Sequence, residues 1–97
     1  MARAIAIFTG GVSELRQFAI SETGQAYSRA QISHPIYGRS WSKWSATGET
    51  FGQNAMTAID EVEVGFSKLR RASPADCFIN NRALFDDKGN IRVRLPA

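Results

Sequence analysis

The sequence predicts an α+β domain: an antiparallel sheet of about four to six strands packed on one long helix, in the order ββββαββ. Three observations carry this. The runs 2–9, 15–22, 25–33 and 36–45 read as strands, separated by Gly10-Gly11, Thr23-Gly24 and His34-Pro35. Residues 51–71 carry Ala55, Met56, Ile59, Val62, Phe66 and Leu69 at steps of three and four, the stripe of an amphipathic helix. Near the end, Ile91, Val93 and Leu95 alternate with Arg92 and Arg94, the pattern of a half-buried strand.

Taken in order, residues 2–9 have Ile5 and Ile7 on one face and Ala4, Ala6 and Phe8 on the other. Two apolar faces suit a central or covered strand. Residues 12–22 carry two patterns. Val12, Leu15, Phe18 and Ala19 fit a helical stripe, whereas Phe18 and Ile20 fit a strand. The Thr23-Gly24 turn signal, with strand-like residues on both sides, favours a hairpin of 15–22 and 25–33. His34-Pro35 marks a bend, because proline lacks the N–H a central strand needs.

Strand 36–45 ends at Ala46-Thr47-Gly48-Glu49. Thr50-Phe51-Gly52-Gln53 matches a capping box and opens the helix, and Ser73-Pro74 stops it. Glu61-Val62-Glu63-Val64-Gly65 alternates like a strand, and a glycine costs about 1 kcal/mol inside a helix. The longer apolar stripe decides for one helix over roughly 51–71. Residues 76–85 read as a strand, or as two pieces around Asn80-Asn81. Residues 86–90 form the turn of a trailing hairpin. The helix has one apolar face, which the sheet must cover, so the other sheet face is left open.

The open face is expected to hold the binding residues. Residues 27–45 carry both tryptophans, both tyrosines and the single histidine. Strand alternation groups Tyr27, Arg29 and Gln31, then Tyr37, Arg39, Trp41 and Lys43. Rings interleaved with cations are what single-stranded nucleic acid requires: flat surfaces for the bases and charges for the phosphates. The same residue types also dominate the energetic centres of protein–protein contacts. Arginine can equally lie over an indole with no ligand present. Arg92 and Arg94 add a second cationic strand, either touching the partner or guarding an exposed edge.

Composition narrows the function. At 97 residues the chain reads as one domain, residues 1–97. A net charge of +3 and a pI near 9.5 permit polyanion binding without requiring it. The cations lead in the first half, at Arg3, Arg16, Arg29, Arg39 and Lys43, and the acids gather later, at Asp60, Glu61, Glu63, Asp86 and Asp87. No apolar run approaches the roughly 20 residues of a membrane span, and the N-terminus reads as a strand rather than a signal, so a cytoplasmic protein without membrane contact is expected. A lone Cys77 in an apolar run reads as a buried hydrophobe in a reducing compartment. His34 has no His or Cys at metal-ligand spacing, and no serine–histidine–acid set or phosphate loop occurs. A non-enzyme with no cofactor, no metal and no catalytic residue is therefore expected.

Over roughly residues 1–71, the four-strands-then-helix order resembles the layout of the whirly single-stranded-DNA-binding proteins. The likeness is one of element order; the trailing hairpin departs from it, and no residue role is carried over. The leading expectation is a small basic binder of single-stranded DNA or RNA, with Tyr27, Tyr37 and Trp41 stacking and Arg29, Arg39 and Lys43 pairing phosphates. The alternative is a protein-binding inhibitor of phage or mobile-element type, anti-CRISPR-like, using the same face against a host protein. A modest core and open strand edges also make a homodimer a reasonable expectation.

Overall fold

The computed structural model describes residues 2–12, 15–52, 57–76 and 82–96. The strands are β1 (Ala2–Gly10), β2 (Arg16–Ser21), β3 (Gln25–His34), β4 (Gly38–Trp41), β5 (Ser45–Thr50), β6 (Glu61–Val64), β7 (Ser67–Arg71) and β8 (Arg94–Leu95). They form one eight-stranded sheet with the path β4-β3-β2-β1-β7-β6; β5 also pairs with β3, and β8 with β1. All of these pairings are antiparallel.

The expected α+β architecture is corrected. No long helix lies across the sheet; among the described residues only Thr57 and Ala58 are α-helical. Residues 61–71 are instead the hairpin of β6 and β7, with Glu61 opposite Arg70, Val62 opposite Leu69 and Glu63 opposite Lys68. The alternation Glu-Val-Glu-Val wins over the longer stripe for a physical reason. Val62 and Val64 turn together toward the core while Glu61 and Glu63 turn toward solvent, and the Lys68 Nζ lies 3.1 Å from Glu61 Oε2. Gly65 takes φ 62° in the connecting turn, a left-handed conformation that a helix does not use. The capping-box glutamine, Gln53, and the stripe residues Ala55 and Met56 lie outside the described residues. With the helix goes the likeness to the whirly layout.

The first three strands match the sequence pattern closely. Strand four is shorter than expected, ending at Trp41, and the residues read as its terminator form β5. Of the trailing hairpin, Cys77 and Asn80-Asn81 lie outside the described residues; an isolated Phe85–Ile91 bridge spans the Asp86–Asn90 turn. β8 pairs with the start of β1.

Both sheet faces are covered, not one. Phe8, Phe18, Ile20 and Leu69 pack on one face, with Phe51, Ile59, Val62 and Val64 against them. Phe18 meets Phe8 at 6.3 Å and Phe51 edge-on at 6.0 Å between ring centroids, the tilted arrangements that aromatic rings prefer. Ile7, Ala19 and Tyr27 lie on the other face under Leu84, Phe85, Val93 and Leu95, with Trp44 partly buried at the margin. The C-terminal segment thus covers one side, and β6, β7 and the Phe51 region cover the other.

Candidate functional site

The site residues gather on the arm formed by the far half of β3 and by β4. There Gln31 pairs with Trp41, Ser33 with Arg39 and His34 with Gly38. Directly opposed residues share a face, so Arg29, Gln31, Arg39 and Trp41 project to the same side, as the alternation requires. This is the face that carries Tyr27 and Gln17 further along.

Within it, Arg29 is the organising group. Its guanidinium carbon lies 4.8 Å from the Trp41 ring centroid and 4.7 Å from that of Trp44. Its Nε donates to Gln17 Oε1 at 2.6 Å, a residue with no exposed surface. Burial lowers the Arg29 pKa from its ordinary value to about 10, which still leaves it cationic at neutral pH. One cation therefore joins two indoles into a single wall.

Trp44 reaches Arg29 because the chain leaves the strand after Trp41. Ser42 holds that bend: its N–H donates to Ala30 O at 2.9 Å, and its Oγ accepts from Ala30 N at 2.9 Å. A continuous strand from 36 to 45 would have placed Trp44 on the opposite face, so sequence alternation alone misses this partner.

Tyr27 is buried among the core residues, and its hydroxyl donates to Pro96 O at 2.8 Å. Its ring is not open to a stacking base. Tyr37 lies at the tip of the β3–β4 hairpin, outside the strand, and is 84% exposed. Its ring leans on His34 at 4.8 Å, and His34 Nδ1 accepts the N–H groups of Ile36 and Tyr37. His34 is thus the brace of the tip. Arg39 and Lys43 are exposed. Arg92 and Arg94 are exposed at the far end of β1 and do not join this group.

A second feature lies at one end of the sheet. Among the described residues the exposed large hydrophobic side chains Val12, Leu15, Ile32, Ile36, Tyr37 and Phe66 all belong to that end. β1 finishes there and β2 starts there, and the β3–β4 and β6–β7 turns both point that way. The β1–β2 loop is tied to β3, where Gln31 N–H donates to Leu15 O at 2.8 Å, and the Arg16 side chain reaches toward the β6–β7 turn at Gly65. Residue by residue these apolar positions looked like parts of strands or of a helix; only the topology unites them.

Among the described residues no cluster of His, Cys, Asp or Glu could hold a metal ion, and no helix is long and apolar enough to cross a membrane. Comparison with family models, curated proteins and solved structures found no match to this chain.

Proposed function

We propose that the protein is a non-enzymatic binding protein that docks a protein partner at the apolar end of its sheet. The observation that supports this reading is the placement of Val12, Leu15, Ile32, Ile36, Tyr37 and Phe66 at one end, on the β1–β2 loop, the end of β3 with its hairpin tip, and the β6–β7 turn. Scattered surface hydrophobics need no explanation, whereas exposed apolar side chains gathered at one end of a sheet suit an interaction surface. Arg16, Arg39 and His34 lie at the same end, and an aromatic tip near arginine is the composition of an interface anchor. The test is affinity capture with the native protein and with the double variant Ile36→Asp, Tyr37→Asp as baits. A stoichiometric partner held by the first and lost by the second is expected. Equal yields, or no stoichiometric partner with either bait, would remove the proposal.

A second reading, binding of single-stranded DNA or RNA, draws on the common face of Arg39, Trp41 and Arg29. Here Trp41 stacks on a base with the ring side not used by Arg29, while Arg39 and Lys43 meet phosphates. Mobility shifts with single-stranded and duplex probes at two salt concentrations test it. Binding should favour single strands, weaken steeply with salt and vanish in Trp41→Ala. Unchanged tryptophan fluorescence on adding oligonucleotide at low salt would exclude it.

A further inference from the structure

We propose that Arg3, Arg92 and Arg94 form a binding cleft for a phosphoryl anion, on the side of the sheet away from Trp41. β8 pairs with the start of β1 so that Ala2 faces Leu95 and Arg3 faces Arg94. Leu95 and Val93 are buried on the side that holds Tyr27 and Trp44. Alternation therefore sends Arg94 and Arg3 to the other side; Arg92 precedes the strand, and all three arginines are exposed.

Opposed side chains in an antiparallel pair have β-carbons roughly 4.5–5.5 Å apart, and like charges there repel. A two-residue strand closed by facing arginines is a poor choice for stability alone. It becomes favourable when a multiply charged anion lies between them. The three arginines, with Ile91 and Val93, line an open cleft of about 230 Å³. Guanidinium groups suit such a ligand because their planar N–H pairs match phosphoryl oxygens two at a time.

The neighbouring acids do not satisfy this charge. Asp86 feels Arg92, but its oxygens already accept the N–H groups of Lys88 and Asn90 and the Asn90 side chain. Glu22 lies on the adjoining β2 turn, where its N–H donates to Arg3 O at 2.9 Å. Among the described residues its carboxylate makes no ion pair with Arg3, and Arg94 has none either.

The phosphoryl group can come from a free polyphosphate or from a nucleic-acid backbone, and the experiment separates the two. Thermal unfolding is followed in orthophosphate, in tripolyphosphate and in chloride of matched ionic strength. A rise of about 5 °C or more with tripolyphosphate over chloride is expected well above its dissociation constant. The rise should disappear in Arg3→Gln, Arg94→Gln. Without ligand, that variant should melt no lower than the native protein, because it loses a repulsion. Arg92→Gln, outside the paired strand, serves as the second variant if the double change unfolds the chain. A single-stranded oligonucleotide that displaces tripolyphosphate and loses affinity in the same variants identifies the backbone as the source; failure to displace it identifies the free anion. An identical shift in native and variant proteins, or none beyond chloride, overturns the proposal. Neither result depends on the Ile36–Tyr37 tip.

Discussion

At the residue scale, Arg29 shows how a presumed ligand contact can be a structural joint. It links two indoles and the buried Gln17. We expect Arg29→Leu to cost about 2 kcal/mol, from two cation–π contacts and a buried hydrogen bond, measured by urea unfolding with tryptophan fluorescence. Its folded pKa lies below the free value, so its buried charge opposes folding until the pH rises through about 10. Arg29 therefore adds no pH dependence near neutrality.

Asp76 behaves in the opposite sense. The Arg70 side-chain hydrogen bond, aided by the Ser73 N–H and hydroxyl and by the Arg70 charge, holds its carboxyl below the ordinary 3.8, against a smaller opposing effect of burial. Its stabilising share is fully present above 3.8 and is lost as the pH falls through the folded value. In unfolding measured across a pH series, Asp76→Asn should be less stable than the native protein at neutral pH. The two curves should converge in strong acid.

At the element scale, the hairpin of β6 and β7 separates what could be read from what could not. The first three strands were legible because each is a short run of strand-forming residues that ends at a glycine pair, a Thr-Gly or a His-Pro. The arm face was legible too, since Arg29, Gln31, Arg39 and Trp41 keep a period of two. Residues 61–71 misled because a strand pair with Val62, Leu69 and a turn phenylalanine happens to fall on helical steps. Their charges held the answer: Glu61 and Glu63 mirror Arg70 and Lys68 about the Gly65-Phe66 turn. That symmetry belongs to a hairpin and to no helix. Gly65→Ala discriminates the two readings. In a helix it would gain about 1 kcal/mol; at φ 62° it should instead lose about 1–2 kcal/mol, as a drop in denaturation midpoint. Trp44 was illegible for a different reason, since alternation cannot foresee the Ser42 bend that returns it to Arg29.

At the scale of the whole molecule, the core and the apolar end place opposite demands on the same chain. Phe18, which touches Phe8 and Phe51, belongs to the first; Phe18→Ala should cost about 3–5 kcal/mol in chemical unfolding. Ile36 and Tyr37 belong to the second; replacing both by Asp should leave the melting temperature within about 1 °C, since surface changes away from packing are nearly neutral. Light scattering at rising concentration checks whether that end also joins two copies, in which case the Asp variant should stay monomeric while the native chain pairs. The long outer border of β3 has a further effect. It is shared between β4 and β5, each too short to span it, and the free margins at β4, β6 and β5 are four, four and six residues long. A stray peptide or a sister chain meets only short ladders to copy, which disfavours fibrous stacking. The protein can hold greasy loop tips in water while offering amyloid a poor template.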